Sequence, residues 1–246
     1  MSPEVSRDAR TDELERNLGA VRERIRAACA AAGRDEDDVT LVVVTKTFPA
    51  DDVVRLLGLG VRDVGENRDQ DARAKVQAVL DSAAPGVQEL RWHFVGQLQR
   101  NKAGSVARYA DVVHSVDRAA LVSALSRGAV AADRELAVLL QLDLDPSGGA
   151  DGRGGASPSE LLALAEQVQA ADALTLRGVM GVAPLGGCAR EAFGRLAEAA
   201  AALREQVPQA TWISAGMSTD LEDAVACGAT HLRVGSAVLG SRPSLR

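Results

Sequence analysis

Leu41-Val42-Val43-Val44-Thr45-Lys46-Thr47-Phe48-Pro49 is the stretch on which the fold of this chain turns. The β-branched run reads as a buried strand, and a helix-like segment over 51–59 follows it directly. The amine of Lys46 therefore stands just past a strand end, at the rim of a core. A desolvated lysine loses proton affinity and becomes a nucleophile towards carbonyls, the first requirement of Schiff-base chemistry. A lysine at a strand end can equally snorkel out to water, so the rest of the chain has to decide.

Outward from this unit the alternation repeats. Short apolar runs rich in Val, Leu or Ile fall at 39–45, 61–65, 91–96, 111–115, 136–144, 176–182, 211–215 and 231–235. Helix-like segments lie between them, for example at 51–59, 69–80, 118–132, 159–171, 191–206 and 219–227. A leading amphipathic helix over 11–32 carries Leu14, Leu18, Val21, Ile25 and Cys29 on one stripe, and Gly33 closes it. Strand and helix alternate without a break in composition, which predicts one (β/α)₈ TIM barrel over 11–246 behind a flexible 1–10. The glycine-rich stretch 145–156 is longer than a routine βα loop and lacks the spacing of a phosphate-binding P-loop, so no catalytic role is assigned to it.

Composition removes several classes of function. With 246 residues, 46% of them hydrophobic, the chain can bury a large core. A net charge of −6 with two Trp, one Tyr and three Phe offers neither the basic field nor the stacking surface that nucleic-acid binding needs. Cys29, Cys188 and Cys227 are too few and too widely spaced for a disulfide framework or a metal site. No stretch has the length and apolarity of a signal peptide or membrane span, which predicts a cytoplasmic protein with no membrane partner.

In a barrel of this kind the carboxyl ends of the strands meet at one mouth, so the polar residues there can be read as a set. Lys46, Glu66, Asn67, His93, Ser115, Met180, the run 214–218 and Arg233 to Ser236 form that set. Ser214-Ala215-Gly216-Met217-Ser218-Thr219-Asp220 leads into a helix, and Thr219 with Glu222 has capping-box spacing, so its N-terminus is expected to receive an anion. Arg233-Val234-Gly235-Ser236 ends the eighth strand, with Gly235 allowing close backbone approach and Ser236 offering hydroxyl and amide. The pair of stretches suggests a phosphate site after strands seven and eight, facing Lys46 across the barrel. A ligand with both an aldehyde and a phosphate satisfies both ends, and pyridoxal 5′-phosphate is the candidate.

The chain resembles the pyridoxal-phosphate homeostasis family (YggS/PROSC). The likeness runs from the leading helix to Arg242 through the Lys46 motif, Gly65-Glu66-Asn67-Arg68, Trp92-His93-Phe94-Val95-Gly96 with Leu98-Gln99 and Asn101-Lys102, Val113-His114-Ser115-Val116-Asp117-Arg118, Leu176-Arg177-Gly178-Val179-Met180, Gly216-Met217-Ser218-Thr219-Asp220 and Arg233-Val234-Gly235-Ser236. The resemblance implies a barrel like the N-terminal domain of alanine racemase, a fold type III architecture. It implies that Lys46 holds pyridoxal 5′-phosphate as a Schiff base and that Ser218, Gly235 and Ser236, beside Met217, hold the phosphate. Arg233 is implied to approach the pyridine nitrogen, and Asn67 to line the pocket near the ring. A guanidinium there disfavours ring protonation and weakens the electron sink. At Gln97 and in the lengthened loop the chain departs from the family pattern.

The implied role is cofactor buffering or delivery in vitamin B6 homeostasis without turnover, with apo-enzymes as partners of a monomer or weak dimer. A fold type III racemase using His93 or another mouth residue as second base, and a Schiff-base aldolase acting on a phosphorylated sugar, are the alternatives. The sole tyrosine, Tyr109, falls before the fourth strand, on the wrong side for the mouth, and His231 is at the wrong end of its strand.

Overall fold

Eight parallel strands close on themselves in chain order. The computed structural model describes residues 8–145 and 154–241; most of the glycine-rich stretch, and Arg242, lie outside them. The strands are β1 (Thr40–Val44), β2 (Asp63–Glu66), β3 (Arg91–Phe94), β4 (Val112–Val116), β5 (Leu136–Leu142), β6 (Leu174–Gly181), β7 (Trp212–Ser214) and β8 (His231–Val234). The helices are α1 (Ala9–Ala31), α2 (Ala50–Gly58), α3 (Asp69–Asp81), α4 (Ala103–Val106), α5 (Ala119–Ala131), α6 (Leu161–Gln169), α7 (Ala189–Gln206), α8 (Leu221–Ala226) and α9 (Ser236–Leu239). Every expected strand is present.

Period-2 alternation divides each strand between two environments. Val43, Val64, Phe94, Val113 and Val179 face the main apolar layer beneath the helices, joined by Leu56, Val79, Leu125, Leu164 and Leu196. Inside the barrel a separate cluster of Val112, Leu139 and Met180, flanked by Ala137, Val182 and Trp212, fills part of the interior. Met180 is thus a plug residue, not a mouth residue. The interior also carries the polar side chains of Asp63, His93, His114, Ser214, His231 and Arg233, all buried.

Closure sets neighbours that strand numbering hides. β1 pairs with β8, placing Val42 opposite Arg233 and Val43 opposite Val234. Lys46 therefore sits beside the β8 segment and does not face it across the barrel. The β5–β6 register shifts between Val138 and Leu139, and Gly178 sits at that irregularity with φ +154°. A Cβ there would lie 1.8 Å from the carbonyl oxygen of Trp212, so only glycine lets β6 and β7 approach.

The leading helix begins at Ala9, with Asp8 accepting from the Thr11 amide, two residues ahead of the expected start. It buries Leu14, Leu18, Val21, Ile25 and Cys29 as their spacing predicts. Its polar side does further work: Arg10 donates to Asp52 and to the Leu239 carbonyl, Asn17 to the Val238 carbonyl, and Arg24 to the Ser218 carbonyl. The extra helix therefore fixes the backbone of both segments expected to hold a phosphate.

Candidate functional site

At the carboxyl ends of the strands lies a cavity of about 370 Å³. Lys46, Asn67, Met217, Ser218, Arg233, Gly235 and Ser236 all line it. Val44, Phe48, Val95 and Val182 add apolar wall, and Thr219 a further hydroxyl, none of which the sequence reading assigned to ligand binding. The pocket is mostly apolar surface with a few convergent polar groups, the usual character of a small-molecule site.

Alternation and a strained turn aim Lys46. Val44 faces the cavity, Thr45 turns outward beneath α3, and Lys46, half-buried, returns to the cavity side. Thr47 then adopts φ +70°, left-handed geometry that a β-branched residue rarely takes, and the Phe48 amide closes the turn on the Thr45 carbonyl at 3.1 Å. Behind the turn, Lys75 donates to the Thr45 carbonyl at 2.7 Å and to Glu66 Oε1 at 2.6 Å, and Thr45 Oγ1 donates to the same oxygen at 2.6 Å. Glu66, expected at the mouth, is instead a buried ion-pair partner outside the barrel. Ser115 is likewise not a mouth residue: it lies within β4, buried.

Asn67 is held by its neighbour. A Cβ on Gly96 would fall 2.2 Å from the Asn67 carbonyl oxygen, so the glycine lets the ends of β2 and β3 meet. At Gly235 a Cβ would stand 3.1 Å from the Val44 carbonyl oxygen, a tight approach of β8 to β1 in line with the expectation.

The two segments expected to receive an anion are built differently from the capping-box expectation. Glu222 forms a two-pronged pair with Arg24, at 2.8 and 2.9 Å, and the N-cap of α8 is Asp220, whose carboxylate accepts from the Met217 amide. A guanidinium from α1 outcompetes a backbone amide for this carboxylate. What joins the segments is a hydroxyl pair at the start of α9: Ser236 Oγ donates to Ser218 Oγ at 3.2 Å, and the Ala237 amide to Ser218 Oγ at 3.3 Å.

Arg233 is buried, and its guanidinium donates to Ser214 Oγ at 2.6 Å and to the Gly181 carbonyl at 2.9 Å. Burial lowers its pKa to about 10, which still leaves it cationic at neutral pH. His93 is not at the mouth: it is buried in the interior, hydrogen-bonded to His114 and Asp63. His231 packs on Trp212 with ring centroids 4.2 Å apart, a structural placement. Burial, helped by nearby Asp69 and Glu66, pushes the Tyr109 hydroxyl pKa well up, and the residue does not line the cavity.

Residues 16–243 match the family model for the alanine racemase N-terminal domain. The pyridoxal phosphate homeostasis protein of Mycobacterium tuberculosis is 44% identical over 243 residues, spanning 95% of this chain and 94% of its own length. The chain belongs to the pyridoxal phosphate homeostasis protein family. The Escherichia coli protein of that name is 35% identical over 234 residues, with 94% of this chain and 97% of the relative covered. PipY of Synechococcus elongatus, solved with PLP bound, is 34% identical with a TM-score of 0.78, covering 92% of this chain and all of that one.

The sequence assigns no role to Asp63, His114 and Lys75, which the structure places in buried hydrogen-bond networks, and Ser214, expected at the mouth, lies in the interior. Polar residues at alternate positions of apolar strands, such as His114 in Val112-Val113-His114, were the available signal. Among the described residues no helix is long and apolar enough to cross a membrane.

Proposed function

We propose that this chain binds pyridoxal 5′-phosphate in the mouth cavity and holds it for buffering or delivery to apo-enzymes, without catalytic turnover. One observation carries the reading: a lysine, a buried guanidinium and a hydroxyl pair beside a helix start line one cavity of about 370 Å³. A carbonyl-reactive amine and an anion cradle on adjacent strand ends suit a compact ligand bearing an aldehyde and a phosphate. When bound, this cofactor supplies an aldehyde for reversible attachment and a ring that withdraws electrons.

Lys46 provides the attachment. Ser218, Ser236 and the amides at the start of α9 receive the phosphate, Met217 and Gly235 shape that end, and Asn67 with the apolar wall flanks the ring. Arg233 presents a donor that cannot accept a proton, so the ring nitrogen facing it stays unprotonated and carbanion formation is weakly supported. A racemase needs a second base opposite the lysine. His93, the named candidate for that role, is committed to Asp63 and His114, and the sole tyrosine, Tyr109, is buried away from the cavity.

Borohydride reduction with cofactor present should add the mass of reduced pyridoxal phosphate to the peptide containing Lys46. Incubation with amino acids in deuterium oxide should leave their α-protons in place. A sugar-phosphate adduct would support the aldolase reading, and rapid α-deuteration would support the racemase.

A further inference from the structure

A line of hydrogen bonds runs through the barrel interior behind Arg233. Arg233 Nη1 lies 2.6 Å from Ser214 Oγ, Ser214 Oγ 2.8 Å from His114 Nδ1, His114 Nε2 2.8 Å from His93 Nδ1, and His93 Nε2 2.8 Å from Asp63 Oδ1. These side chains come from β8, β7, β4, β3 and β2, and all are buried. Barrel interiors are ordinarily filled by branched apolar residues, which would be cheaper to bury than this series. The two hydrogen bonds of the buried guanidinium go to neutral oxygens, those of Ser214 and Gly181. The line ends on a carboxylate, Asp63, which also accepts from Arg91 at 2.7 Å.

The two ends fix its polarity. A guanidinium has no acceptor and a carboxylate no donor. With neutral imidazoles, Ser214 therefore donates to His114 Nδ1, His114 Nε2–H donates to His93 Nδ1, and His93 Nε2–H donates to Asp63. The opposite sense requires a doubly protonated His93, a second cation in an interior that already holds Arg233 and has His231 and Arg91 nearby. Burial, with His93, Arg233 and His231 nearby, already keeps His114 well below the ordinary imidazole value.

We propose that Ser214, His114 and His93 are positioning residues that act through Arg233, aiming its guanidinium at the mouth and linking its charge to Asp63. The inference rests on the reading that Arg233 faces the cofactor ring. Each bond in the series polarises the next towards Asp63, which makes Ser214 Oγ a better acceptor and restrains the guanidinium from swinging away.

The chain has three histidines, so their ¹⁵N resonances can be assigned individually. In the cofactor-free protein at pH 7, His93 and His114 should both be neutral with the proton on Nε2; a proton on Nδ1 of either overturns the proposal. This measurement uses the wild-type protein and stands even where a variant fails to fold. Ser214→Ala should move the His114 Nδ1 resonance and weaken pyridoxal 5′-phosphate binding about tenfold, the size of one lost hydrogen bond to a charged group. Asp63→Asn keeps the volume and an acceptor for His93 but removes the charge, and should weaken binding severalfold with a shifted visible maximum. Wild-type affinity and spectrum in both folded variants would overturn the link to Arg233. Lys46→Ala separates this inference from the reading of the pocket: it should abolish covalent attachment while leaving the histidine resonances in place.

Discussion

Ser236 Oγ donates to Ser218 Oγ across 3.2 Å, joining the segments that follow β7 and β8 into one hydroxyl pair at the mouth. The pair has no buried role to lose, since Ser236 is exposed and Ser218 only half-buried. Ser236→Glu should therefore leave the unfolding midpoint nearly unchanged while placing a carboxylate where the cofactor phosphate is proposed to sit. Equilibrium dialysis should show at least a tenfold loss of pyridoxal 5′-phosphate affinity, and unchanged binding would count against the cradle.

Thr47 holds left-handed geometry immediately after Lys46. Asparagine tolerates that region better than a β-branched residue, so Thr47→Asn should raise stability by about 1 kcal/mol. Urea unfolding measures this directly. A lower midpoint in the variant would show that Thr47 makes stabilising contacts that outweigh its strain.

Lys75 and Glu66 form a buried ion pair of 2.6 Å behind the same turn, with side chains 8% and 2% exposed. Removing only the cation leaves a carboxylate in the core, so Lys75→Met should destabilise by about 3–5 kcal/mol. Adding Glu66→Gln should recover a large part of that loss. A double variant no more stable than the single one would contradict the charge-burial explanation.

Stability should fall in acid, and the sign follows from buried histidines. Burial lowers His231 to a pKa of about 3 from 6.5, and His114 also lies well below the ordinary value. Between pH 6.5 and about 3 the unfolded chain takes up protons that the folded chain refuses, so the full stability is present above that window and is lost on descending through it. Burial opposes the charge of Asp63, but hydrogen bonds from His93 and Arg91 hold it below the usual carboxylate value, adding a further loss at lower pH. His231 alone accounts for on the order of 5 kcal/mol. Urea midpoints for His231→Phe should vary less with pH between 6 and 4 than those of the wild type.

The barrel could be read because Val42-Val43-Val44 and its counterparts are β-branched runs at regular intervals, a pattern set by burial on both faces of a parallel sheet. The gathering of the seven expected residues around one cavity could be read because each stands next to a strand end or in a strand-to-helix turn. Other features depend on closure and stagger, which no local pattern encodes. The adjacency of Lys46 to β8 follows from β1–β8 pairing, and the alignment of His93, His114 and Ser214 follows from the relative heights of three separate strands. Glu222 was misassigned because its partner, Arg24, lies 198 residues away. The short helices α4 and α9, four residues each, offer too little periodicity to detect.

The central claim is that Lys46 reversibly anchors pyridoxal 5′-phosphate in this cavity. Titration of the purified protein with the cofactor, followed by visible absorbance, tests it most directly. The wild type should develop a new saturable band, distinct from that of free pyridoxal 5′-phosphate, and Lys46→Ala should show only the spectrum of the free cofactor. An identical band in Lys46→Ala would contradict the account.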